Sequence, residues 1–185
     1  MQDLIPNALT SLNIFKSYLG IDDATEDALL KLCINSATGF IEGFTKRKFF
    51  AKDYVENFDG GGKALLVKAL PINSITSITS SGSTLAYTIQ SKGKGIIALD
   101  EKSEAEVEVQ YNGGFKIDFN NISNEALHNL PFDLVNLTNE IASKIYNKRK
   151  SQGIANESVE GTNISWEKEI TPEALAILTK YNLRS

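Results

Sequence analysis

The chain has 185 residues, 42% of them hydrophobic and 23% charged, with a formal charge of −4. That length suits one domain, or one domain with an insertion, able to bury about 70% of its unfolded surface. No apolar run approaches the roughly 20 residues of a membrane span, the acidic balance argues against a general duplex-DNA binder, whose affinity comes from a basic face, and a lone cysteine, Cys33, excludes an intrachain disulfide and thiolate clusters.

The opening MQDLIPNALTSLNIF lacks the basic and apolar regions of a signal peptide, which predicts synthesis in the cytosol. Residues 1–9 carry Leu4, Ile5 and Pro6 without periodicity and read as an extended arm. A short helix follows from Thr10 or Ser11, with Leu12, Phe15 and Leu19 on one face and Gly20 as its stop. Asp23 and Glu26 form a capping-box pattern for a second helix, along which Leu29, Leu32, Cys33, Ala37, Phe40, Ile41 and Phe44 keep the helical period to an end near Lys46.

From Phe49 the period changes to two. Tyr54, Glu56 and Phe58 alternate with Val55 and Asn57, and Asp59-Gly60-Gly61-Gly62 before Ala64-Leu65-Leu66-Val67 predicts a hairpin. Further runs around Ile75 and Ile78, Leu85 to Ile89 and Ile96 to Leu99 are separated by Ser/Gly turns. Val107, Val109 and Tyr111, alternating with Glu106, Glu108 and Gln110, predict a strand with one buried and one solvated face.

The clearest helix signal follows a polar connector over 115–129. Leu134, Leu137, Ile141 and Ile145 recur three or four apart, and Val135, Ala142 and Tyr146 widen the stripe. Pro131 marks its start, Asp133 suits the first turn, and Lys148, Arg149 and Lys150 before Gly153 mark its stop. After Gly153 comes a polar stretch carrying Ile154, Val159, Ile164 and Trp166 at intervals, then Thr171-Pro172, which opens a last short helix.

Motifs that carry chemistry fail on inspection. Gly62-Lys63 lacks the first glycine and the Ser/Thr of a phosphate-binding loop, and a strand follows it. His128, the only histidine, has no nucleophile elbow and no acidic partner at a telling spacing, so it reads as a surface or boundary residue. Glu104, Glu106 and Glu108 read as a solvated strand face, and Lys46-Arg47-Lys48 and Lys148-Arg149-Lys150 as cations suited to helix ends. No cofactor or metal is expected.

The order of parts carries a resemblance. Leu19-Gly20, a capped helix, Thr45-Lys46-Arg47-Lys48-Phe49, a sheet holding Leu70-Pro71-Ile72 and Ser74-Ile75-Thr76-Ser77-Ile78, and Val109-Gln110-Tyr111-Asn112-Gly113-Gly114-Phe115 come in turn. Leu130-Pro131 then opens a helix ending Tyr146-Asn147-Lys148-Arg149, before Gly153-Ile154 and Glu157-Ser158. This sequence of pieces resembles the head-tail connector, or adaptor, proteins of long-tailed bacteriophages and prophages, over nearly the whole chain. The resemblance implies a non-enzymatic virion protein of the neck that forms a twelve-fold ring with itself beneath the portal protein. Such a ring extends the DNA channel without specific DNA binding and offers a surface to a stopper or tail-completion protein. It also implies interface anchors at Tyr146, Arg149, Ile154, Val159, Ile164 and Trp166. The rivals are that the chain is itself a stopper or tail-completion protein, or an enzyme with an unrecognised site.

The expected fold is α+β but mainly α: a bundle of three to four helices with an inserted small antiparallel sheet and an extended C-terminal arm ending in a short helix. The expected parts are an N-terminal arm (1–9), a helical part (10–48), the inserted sheet (49–114), a connector with the long helix (115–150) and the C-terminal arm (151–185).

Overall fold

The computed structural model describes residues 3–151 and 170–183, the side chains of 149–151 excepted. The chain divides into two compact units, one of Met1–Thr45 with Leu130–Ser185 and the other of Lys46–Asn129.

The first unit is helical. α1 (Leu12–Leu19) starts at Ser11, whose hydroxyl accepts from the Ile14 N–H, and stops at Gly20, which turns left-handed at φ 68°. These are the two ends that a hydroxyl N-cap and a glycine C-cap impose. α2 (Asp27–Thr45) buries Leu30, Cys33, Ile34, Ala37 and Ile41. Its start is not the expected capping box. Asp23 instead accepts from the Thr25 N–H two residues on, and Glu26 is engaged by the Tyr146 hydroxyl. The carboxylate thus closes a local turn ahead of the helix, and the hydrogen bonds around Thr25 hold Asp23 below the usual carboxylate range. Thr38 and Asn35 on α2 hold the N-terminal stretch, accepting from the N–H groups of Leu9 (3.2 Å) and Ile5 (3.1 Å), and Leu9 is buried.

α3 (Phe132–Ser151) is covered on most sides, with Leu134, Val135, Leu137, Ile141, Ala142 and Tyr146 buried. α4 (Pro172–Lys180) is held on it at both ends. The Thr171 hydroxyl donates to Glu140 (3.1 Å) and caps its own helix by accepting from the Ala174 N–H (3.2 Å). At the other end the Tyr181 hydroxyl donates to Asp133 (2.9 Å) and Lys180 pairs with the same carboxylate (2.7 Å). Asp133 and Glu140 lie seven residues apart, about 10 Å along α3, so α4 runs antiparallel to α3. Thr171→Ala removes a cap and a cross-helix bond together. Urea unfolding followed by circular dichroism is expected to show a loss of about 1–2 kcal/mol, and an unchanged midpoint would refute the clamp.

The second unit contains seven strands in two antiparallel sheets. β1 (Lys52–Phe58), β7 (Val107–Gly113), β3 (Ile72–Ser80) and β4 (Ser83–Thr84) form one in the order β1-β7-β3-β4, and β2 (Ala64–Leu66), β6 (Ile96–Leu99) and β5 (Tyr87–Ser91) form the other in the order β2-β6-β5. β7 is central in its sheet: Tyr111 stands opposite Tyr54 on one side and Ile75 on the other. Its alternate residues Val107, Val109 and Tyr111 are buried, as the period of two predicted.

These sheets correct the expected fold class. The protein is α+β with a substantial sheet content, four helices and seven strands among the described residues, rather than a mainly helical bundle with one small sheet. The error lay in pairing. β1 and β2 flank a glycine-rich turn yet do not form a hairpin; β1 pairs with β7, about fifty residues on, and β2 with β6. The chain crosses from one sheet to the other at Gly60–Gly62, and a Cβ on Gly60 would overlap the backbone of Glu104. The glycines there serve a close backbone approach as well as a turn. The presumed glutamate face also dissolves, since only Glu108 lies in β7, where it accepts from Gln110, while exposed Glu104 pairs with Lys102 before the strand begins.

Candidate functional site

A helix has about 100° of surface for the core, and α2 has more apolar residues than that face takes. Leu30, Cys33, Ile34, Ala37 and Ile41 fill the buried side. Leu32, Phe40 and Phe44 are left outside at 42%, 36% and 36% exposure, and the residues exposed between them, Ser36, Gly39 and Gly43, carry no charge. The rings of Phe40 and Phe44 lie 6.2 Å apart, one turn from each other. Single exposed apolar residues are ordinary; a row of them on one helix face marks a contact surface.

Beside this row, within the helical unit, is a cavity of about 220 Å3. Phe40 of α2, Ile141 and Ile145 of α3, and Ile170 and Ala174 at the start of α4 line it. Lys144 at its wall is neutralised by Glu140 (2.5 Å), which also takes the Thr171 hydroxyl. Ser36 and Lys144 are the polar residues of its lining, and the rest of that lining is apolar. Such a recess suits an apolar side chain.

Of the residues expected as interface anchors, Tyr146 is buried at 5% exposure and its hydroxyl donates to Glu26, tying the end of α3 to the start of α2. Arg149 falls in the last turn of α3, its side chain outside the described part, and Ile154, Val159, Ile164 and Trp166 lie outside the described residues altogether. The helical period of α2 assigns Phe40 and Phe44 to the core face, whereas both are exposed. The signal available was the surplus of apolar residues, too many for one stripe.

The remaining chemistry-bearing residues have structural partners. His128 is buried, not superficial: its Nδ1 accepts from the Asp118 N–H (3.1 Å) and its ring lies 5.0 Å from Phe119. Asp118 is held below the usual carboxylate range by the Asn121 side chain and the Asn120 N–H. Arg47 is also buried, donating to the Leu70 carbonyl (3.3 Å) and lying over the Phe49 ring, so it offers no guanidinium to phosphate. Lys63 donates to the Asp100 carbonyl, consistent with a turn and not a nucleotide loop. At the α4 clamp, hydrogen bonds to Asp133 and Tyr181 raise Lys180, while burial and then Asp133 raise Tyr181. Among the described residues no group of three or more His, Cys, Asp or Glu could hold a metal, and no helix is long and apolar enough to cross a membrane.

The described residues thus form an α+β chain of two units whose helical part carries an apolar row on α2. Residues 8–182 match the family model described as Head completion protein, and the chain belongs to that family. That makes it a structural head-tail connector protein of the head completion kind, as the order of its sequence motifs led one to expect. Solved structures agree in fold. The chain is similar to a protein from the neck of an empty gene transfer agent particle computed with C6 symmetry (TM-score 0.62, 14% identity, 98% of this chain and 93% of the other). It is similar to one from the neck of the native particle computed with C12 symmetry (0.60, 14%, 98% and 92%) and to one from the virion of the native particle (0.61, 14%, 96% and 91%). No match was found among curated proteins.

Proposed function

We propose that this connector protein assembles with itself into a twelve-fold ring beneath the portal protein, extends the DNA channel, and presents its far side to a stopper or tail-completion protein. The membership of residues 8–182 in the head completion family carries the reading. Its work is mechanical, with no bond made or broken. The charge of −4 favours DNA passing without adhering, because a channel that neutralised phosphates would release counterions and hold the duplex. The anchors for the portal or a neighbouring subunit are Ile154, Val159, Ile164 and Trp166, with Tyr146 and Arg149 at the helix end leading into them; apolar anchors of this kind dominate interface energies.

Mixing the purified chain with its portal is expected to yield a stoichiometric complex on size-exclusion chromatography, with a ring at the DNA exit in electron micrographs. Binding to tail tube and not to portal would make it a stopper or tail-completion protein instead. Turnover of a substrate lost on His128→Ala would make it an enzyme.

A further inference from the structure

We infer that neighbouring copies of this chain meet head to tail through their sheet units, the lysine-bearing end of one against the carboxylate-bearing end of the next. The inference rests on the ring proposed above and supplies a contact within it. Residues 46–129 hold ten Lys and Arg and ten Asp and Glu, so the unit is balanced in charge. The strand registers show that this balance is a segregation. Lys52 of β1 and Ile72 of β3 both stand opposite Gly113 at one end of the four-stranded sheet, and Phe58 and Ser80 both stand opposite Val107 at the other. The three-stranded sheet follows the same axis. Near the first end the Ile72 N–H donates to the Lys92 carbonyl (2.9 Å) and the Val67 N–H to the Gly95 carbonyl (3.1 Å). Near the second, the Gly61 N–H donates to the Ser103 carbonyl and the Leu99 N–H to the Lys63 carbonyl, both at 2.7 Å.

Charge sorts along that axis. At the first end Lys48, Lys68, Lys92 and Lys94 are exposed, and the Lys48 N–H donates to the Lys68 carbonyl (3.1 Å). Lys52 stands there too, offset by its neighbour Asp53, which is bonded to Asn112 (2.8 Å). At the second end Asp59, Asp100, Glu101, Glu104 and Glu106 are exposed. Lys63 and Lys102 answer only part of that charge, Lys102 being paired with Glu104 (2.9 Å). Glu56 and Glu108, between the ends, are engaged by Tyr111 and Gln110. A strand the length of β1 separates the two ends by about 20 Å or more. Charges act over only about 8 Å in physiological salt, so the two ends of one copy do not neutralise each other.

Complementarity selects a second copy as the partner. A duplex would satisfy the lysine end alone, and the carboxylate end would repel its phosphates. A two-fold dimer joined end to end would set like charge against like. Copies displaced along the strand axis and rotated bring opposite charges together at every junction, a heterologous contact that closes into a ring when the rotation allows. Exposed ion pairs are individually weak. They therefore set orientation and association rate more than affinity, and a ring templated on a portal repeats the contact until it holds.

The test follows ring assembly of the full chain on purified portal by light scattering, with rings verified in electron micrographs. One variant carries Lys92→Glu and Lys94→Glu, a second Glu101→Lys and Glu106→Lys, and a third all four. These side chains are exposed, so thermal midpoints are expected to be unchanged. At low salt the first two variants are expected to assemble about 10-fold more slowly or worse, and the third to return to the unsubstituted rate, because its ends are again complementary. Rings formed at the unsubstituted rate by the first two would overturn the inference and leave the ring reading standing. Slowing that the third variant fails to recover would assign an end to the portal, or to DNA if Lys92→Glu with Lys94→Glu also loses binding to a duplex, and would likewise overturn it. A second arm needs no substitution. Raising salt from about 50 to about 200 mM is expected to slow assembly of the native chain several-fold, and a rate indifferent to salt would overturn the inference. No ring from the native chain at any salt would remove both readings.

Discussion

Gly113→Ala is expected to destabilise the sheet unit by about 3 kcal/mol or more, at or beyond the upper end of the overpacking range. Gly113 ends β7, opposite Lys52 of β1 and Ile72 of β3. A Cβ there would overlap the carbonyl oxygen of Ala69 and come within 2.7 Å of the Tyr111 ring. Neither neighbour has room to give. Ala69 is buried, bridged to Lys48 and bonded through its N–H to the Tyr111 hydroxyl, while the Tyr111 ring is stacked on Tyr54 with centroids 5.8 Å apart. The check is a pair of urea titrations read by tyrosine near-ultraviolet circular dichroism. The control is Gly93→Ala, where an added Cβ meets nothing within 4 Å and the change should stay within about 0.5 kcal/mol. Equal midpoints for the two variants would show that the strand end can open without cost.

That contrast also separates what the sequence could and could not reveal. Ser11, Gly20, Thr171 and Pro172 act within a few residues of where they stand, and the helix ends they predict are the ends observed. The alternation at Val107, Val109 and Tyr111 is likewise local, and those residues are buried. Strand partnership is different. Tyr54 and Tyr111 are cross-strand neighbours at a separation of 57 residues, and nothing in either segment states the other's identity. A glycine run after β1 points to the nearest partner, and the division into two sheets has no local signal. The candidate site suffered from the same limit. Periodicity identifies which side chains of α2 are apolar, but whether Phe40 is covered depends on α4, which begins more than 130 residues later. The family was legible because it resides in the order of many local signals, and order survives when pairing is unknown.

Tyr111→Phe is expected to cost about 2–3 kcal/mol and to flatten the loss of stability at alkaline pH. The Tyr111 hydroxyl accepts from the buried Ala69 N–H (2.9 Å) and donates to the Glu56 carboxylate, which also takes the Lys68 N–H (3.0 Å). This cluster fastens the segment between β2 and β3 to the four-stranded sheet. Removing the hydroxyl orphans a buried backbone donor, worth about 1–3 kcal/mol, and deprives a carboxylate of a partner. Burial first, and the bond to Glu56 second, raise the Tyr111 phenol well above its ordinary value near 10. The folded state therefore keeps this proton at pH values where the unfolded chain releases it. Its contribution is whole below about pH 10 and falls as pH rises towards the folded value, by up to about 1.4 kcal/mol per pH unit. Tyr181, raised by burial and by Asp133, adds a second such loss in the helical unit. Urea midpoints measured from pH 8 to 11 should hold to about pH 10 and then decline for the unsubstituted chain, and decline less for Tyr111→Phe. Parallel profiles would mean that Tyr111 ionises as freely folded as unfolded, and the hydroxyl cluster would then not hold the sheet.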